Sequence, residues 1–112
     1  MAVAYSNTNP QLSSYRAGSI LSLTPGELLI KLYDLGLSAL ASGDRDRASR
    51  VVAQLIESLD FRYSDIAFGL FRLYRYCMDE IKRGEYEMPT RILRELRDTW
   101  IQALSRLEGG AS

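Results

Sequence analysis

Four stretches of this chain repeat their apolar residues at steps of three and four, and that periodicity restricts the fold more than any other feature. The first runs from Pro25 to about Ser42. The second runs from about Asp46 to Leu59, with Ala48, Val52, Leu55 and Leu59 on its stripe and Val51 and Ile56 widening it. The third lies between Ser64 and Gly84 on a spine of Ile66, Leu70, Leu73, Cys77 and Ile81. The fourth starts near Met88 and ends near Glu108, along Leu93, Leu96, Trp100, Ala103 and Leu107. None of the four alternates apolar and polar residues at period two, so no strand is expected. Four amphipathic helices on short connections predict an all-α antiparallel four-helix bundle. Residues 1–23 read as an N-terminal arm or short capping helix, residues 24–108 as the bundle, and residues 109–112 as a flexible tail.

The first helix carries a start signal. Thr24 is placed as N-cap, Pro25 as first helical residue and Glu27 as the third, which makes a capping box. Proline loses nothing there, because its missing N–H has no helical partner. Leu23 and Leu28 flank the cap as a hydrophobic staple. Gly43 and Gly84 are natural terminators. Ser64 is the predicted N-cap of the third helix, and Pro89 sits in the first turn of the fourth. Gly36 and Gly69 fall inside helices at a cost of about 1 kcal/mol each against alanine, which suggests close approach of a neighbouring or incoming helix.

Composition narrows the function. The 14 basic residues balance the 14 acidic ones, whereas a duplex-binding protein carries a basic excess. There is no histidine, which removes the commonest general base and metal ligand. The single cysteine, Cys77, cannot close an internal disulfide and lies on a core stripe, the place of an inert buried thiol. No Gly-rich phosphate loop, nucleophile elbow or metal-binding spacing occurs, so no catalytic residue, metal or cofactor is expected. No run of about 18 apolar residues is present, and the N-terminus lacks the pattern of a signal peptide, so a cytoplasmic protein without membrane insertion is expected.

Two helices carry more apolar surface than a bundle needs. The second and fourth fill arcs of ordinary width, but the first fills about 220° against the ~100° that faces a core. Leu28, Leu29, Leu32, Leu35, Ala39 and Leu40 face one side, and Ile30, Tyr33 and Leu37 continue around. The third helix has Phe71, Tyr74 and Met78 at the margin of its stripe and Phe68 and Tyr76 beyond it. Either the N-terminal arm covers this surface or an amphipathic helix of a partner docks on it, and an arm displaced by a client would satisfy both. The candidate partner-binding residues are Tyr15, Ile20, Leu23, Ile30, Tyr33, Leu37, Phe68, Phe71 and Tyr76. Trp100 is expected as a core anchor, with Tyr74 equally placed for core edge or groove lining.

Three stretches resemble the FliS family of flagellin export chaperones. They are Tyr15 with Thr24-Pro25-Gly26-Glu27-Leu28 and Leu32-Tyr33-Asp34; Leu59-Asp60 with Ile66-Ala67 and Leu73-Tyr74-Arg75-Tyr76; and Leu96-Arg97-Asp98-Thr99-Trp100. The resemblance implies a cytosolic chaperone that binds the C-terminal helical segment of flagellin, prevents premature polymerisation and delivers the subunit to the flagellar type III export apparatus. It places Tyr15 in an N-terminal flap near the client, with Leu32 and Tyr33 beside it on the first helix. The chain departs from the family in being about two heptads shorter between Tyr33-Asp34 and Leu59-Asp60, and about one heptad shorter in the last hairpin, which leaves a stubbier bundle. The alternative is a divergent helical adaptor or dimerisation module with another client. A monomer or weak dimer is expected.

Overall fold

The structure is a computed structural model that describes residues 23–111, with side chains to residue 107. Helix α1 spans Pro25–Ala41, α2 Arg45–Glu57, α3 Ser64–Lys82 and α4 Glu87–Ala111, with a 3-10 turn at Phe61–Tyr63 before α3. No strand occurs among the described residues. Each helix packs on the next in sequence, and α4 closes the ring against α1. The short connections make successive helices antiparallel, as expected for this class of bundle.

The predicted capping box of α1 and the glycine ends of α1 and α3 are present. The Thr24 hydroxyl accepts from the Glu27 N–H at 3.1 Å, and the Glu27 carboxylate accepts from the Thr24 N–H at 2.8 Å. At the far end of α1, Gly43 takes φ of 71°, and the Gly43 and Asp44 N–H groups donate to the Leu40 and Ala39 carbonyls. Gly84 repeats this behind α3 with φ of 80°, where Gly84 and Glu85 donate to Ile81 and Glu80. Both ends are Schellman motifs, and the left-handed residue in each is glycine because a Cβ there is strained.

Four boundaries differ from the sequence reading. Helix α2 begins one residue early because Asp44 caps it, accepting from the Arg47 N–H, and it ends at Glu57, with Leu59 outside. Ser64 is not an N-cap but the first residue of α3. Asp60 upstream accepts from the Arg62 N–H and starts a 3-10 turn that leads directly into the helix. Helix α4 runs to Ala111, so Gly109, Gly110 and Ala111 of the expected tail are helical.

The core is built from Tyr33, Ala39 and Leu40 of α1, Ala48, Val51, Val52 and Leu55 of α2, Tyr74, Cys77, Met78 and Ile81 of α3, and Leu93 of α4. Two predicted stripes are rotated relative to this core. On α3, Ile66 and Leu73 are exposed, while Tyr74 and Met78 point inward. On α1, Leu28 and Leu35 are exposed, while Tyr33 is fully buried. The Tyr33 and Tyr74 hydroxyls share a 2.6 Å hydrogen bond at the bundle centre, so each large ring is buried with its polar tip satisfied. Gly36 lies where three helices meet: a Cβ there would stand 3.2 Å from both the Leu93 and Val51 side chains. On α4, Leu107 is exposed, one turn beyond Leu104, which packs over Gly26 at the start of α1.

Candidate functional site: an apolar groove at one end of the bundle

The start of α1, the end of α2, the start of α3 and the C-terminal half of α4 come together at one end of the molecule. The connection after α2 leaves the helical path at Ser58 and returns through the 3-10 turn, so α2 and α3 do not close over each other there. Two adjoining hollows result. One, of about 250 Å³, is lined by Leu29, Leu59, Tyr63, Ile66, Ala67, Leu70, Tyr74 and Trp100, with Ser58 and Asp60 at its polar edge. The other, of about 360 Å³, is lined by Pro25, Gly26, Leu28, Leu29, Leu32, Ser58 and Trp100. Leu29, Ser58 and Trp100 belong to both, so the hollows form one groove with Trp100 at its centre.

The groove wall is apolar and keeps large side chains in solvent: Leu28, Tyr63 and Ile66 are all exposed, Ile66 by 66%. Its one carboxylate is Asp60. The Arg62 side chain, hydrogen-bonded to it at 2.6 Å, holds that carboxyl below its ordinary pKa and keeps it charged. What such a surface can do is bury the apolar side chains of something else, with Asp60 and Ser58 at the rim.

The seven described residues among the nine singled out from sequence do not assemble into one surface. Tyr15 and Ile20 lie outside the described residues. Leu23, just before the cap of α1, and Ile30 on α1 are half-buried, and Leu37 is half-buried against the core. Tyr33 is no surface residue at all, because its hydroxyl needs Tyr74 and the ring fills the bundle centre. Phe68 is exposed and Phe71 half-buried; they gather around Phe61, with ring centroids 5.1 and 6.5 Å away, on the flank of α3 opposite Ile66. Tyr76 is exposed two turns further along. Helices α1 and α3 each pack on α2 and α4, and so face each other across the bundle diagonal. They share a surface at the end groove, through Leu29 on one side and Ile66, Ala67 and Leu70 on the other. Of the groove residues, only Leu32 is placed beside a client in the sequence, through the family resemblance; Leu28, Ile66 and Leu70 sit on stripes that read as core.

Cys77 is fully buried; burial, assisted by the nearby charge of Glu80, pushes its thiol up to about 12. Among the described residues no cluster of three or more metal-ligating side chains occurs, and no helix is long and apolar enough to cross a membrane. No family model, curated protein or solved structure matches the chain.

Proposed function

We propose that this protein is a cytoplasmic, non-enzymatic chaperone that holds an apolar helix of a client protein in the end groove. The open apolar channel around Trp100, walled by α1, α3, α4 and the connection that follows α2, is the observation that supports this reading. Burying one Leu- or Ile-sized side chain in such a channel contributes about 1.5–3 kcal/mol, and three anchors at helical spacing would offset the cost of ordering a disordered client. The proposed client is the C-terminal segment of flagellin, with delivery to a flagellar type III export apparatus. That choice of client rests on the resemblance to the FliS family, carried by Thr24-Pro25-Gly26-Glu27-Leu28, Leu32-Tyr33-Asp34 and the Trp100 segment. The mechanism is competition: client faces buried in the groove cannot enter filament contacts.

Calorimetry with a flagellin C-terminal peptide tests the proposal. Binding with a negative heat-capacity change is expected, since apolar area is buried. Leu28→Glu, at an exposed wall position, should weaken binding at least about tenfold while leaving the helical signal intact. Absence of heat at several temperatures would rule out flagellin as client. Unchanged affinity in the Leu28 variant would rule out the groove.

A further inference from the structure

Helix α3 carries a second apolar stripe outside the groove, and its spacing is that of a coiled-coil seam. Ile66, Gly69, Leu73 and Tyr76 follow one another at steps of three, four and three. Ile66 is 66% exposed, Leu73 39% and Tyr76 43%. Gly69 is the informative member. A Cβ built on Gly36 would crowd two neighbours, but one built on Gly69 meets nothing within 4 Å among the described residues. Among the described residues, the mid-helix glycine therefore costs helix stability with no packing gain. It leaves a notch in the middle of an exposed apolar row.

The row reads the same in both directions. An antiparallel copy placed on a twofold axis at residue 71 sets Leu73 over the partner's Gly69 and Ile66 against the partner's Tyr76. We infer that α3 is a self-association surface, pairing antiparallel with α3 of a second copy by seating Leu73 in the Gly69 notch. A stripe that matches itself under a twofold is what an isologous dimer requires. Leu73 seated directly over the partner's residue 69 needs a position without a side chain, and Gly69 is the one glycine of α3. At the two ends Arg62 comes level with the partner's Glu80, but each is already paired within its own subunit, with Asp60 and Arg83, and Arg72 comes level with the partner's Leu70, so the apolar notch carries the pairing.

This surface meets the end groove only at Ile66, so it does not depend on the client reading. The test is sedimentation of the intact protein from micromolar to near-millimolar concentration, alone and as Gly69→Ala, Gly69→Leu and Leu73→Arg variants. The wild type should pass from monomer to dimer. Gly69→Ala should raise the thermal midpoint of the monomer, because its Cβ enters open space and favours the helix, and yet weaken association at least about tenfold. Gly69→Leu and Leu73→Arg should abolish dimers while retaining the monomer's helical signal. A wild type that stays monomeric throughout overturns the inference. So does a dimer whose affinity is unaltered by Gly69→Ala and Gly69→Leu. Loss of folding in Leu73→Arg leaves the decision to the two glycine variants, whose backbone and surroundings accept the change.

Discussion

Removing one hydroxyl from the Tyr33–Tyr74 pair should destabilise the bundle more than removing both. The two rings are 0% and 1% exposed, and their oxygens are 2.6 Å apart. Tyr33→Phe leaves the Tyr74 hydroxyl buried without its partner, and an orphaned buried hydroxyl costs about 1–3 kcal/mol. Tyr74→Phe orphans the Tyr33 hydroxyl in the same way and should cost a similar amount. In the double variant two phenyl rings face each other with no polar group to satisfy, and the change should fall within about 1 kcal/mol of wild type. The coupling between the sites is then at least about 1 kcal/mol, well above the few tenths by which independent sites depart from additivity. Urea unfolding followed by far-ultraviolet circular dichroism measures all four proteins on a signal that does not depend on Trp100. For a described bundle of this size, each kcal/mol moves the thermal midpoint by about 4–8 °C, so calorimetry gives an independent check. Additive single losses would refute the argument that the hydroxyl pair, rather than ring packing, sets the orientation of α3.

Other outcomes follow from the same geometry. Gly36→Ala should lower stability by about 1 kcal/mol or more, because crowding Leu93 and Val51 at 3.2 Å outweighs the roughly 1 kcal/mol gain in helix propensity; a raised thermal midpoint would show that those side chains yield freely. Thr24→Ala should cost about 1 kcal/mol, since it removes one of the two reciprocal cap bonds of α1, and hydrogen exchange in the first turn should rise with it. Stability should fall on the alkaline side. The buried Cys77 thiol ionises at about 12 when folded against 9.0 when exposed, so its contribution is full below pH 9 and is lost as the pH rises from 9 toward 12. Tyr33 and Tyr74, also raised by burial above 10.0, add a loss of the same sign beginning higher. Urea midpoints between pH 9 and 10 should fall less steeply for Cys77→Ala than for wild type; parallel slopes would show that the thiol is accessible in the native state.

The residues that fixed each helix locally could be read directly. Thr24, Pro25 and Glu27 satisfy the first backbone donors of α1 by themselves, and Gly43 and Gly84 end helices because they alone take a left-handed backbone cheaply. These are interactions within four residues, and no tertiary partner alters them. Ser64 is not a cap because Asp60, four residues upstream, accepts from the Arg62 N–H and starts a 3-10 turn that carries Ser64 into the helix as its first residue.

What the sequence by itself determined about this protein is the number, type and order of the helices. Only the tertiary structure decided which side of each helix faces in. Helix α1 is apolar over about 220° and a bundle uses ~100°, so several rotations satisfy periodicity equally. The choice is made by contacts between residues far apart in the chain: Gly36 against Leu93 and Val51, and Tyr33 against Tyr74 across 41 positions. That pairing turns α3 by about 60° from the stripe its sequence suggests, carrying Ile66 and Leu73 to the surface. The groove around Trp100 and the notch at Gly69 are both consequences of that rotation, which is why neither was visible until the helices were packed.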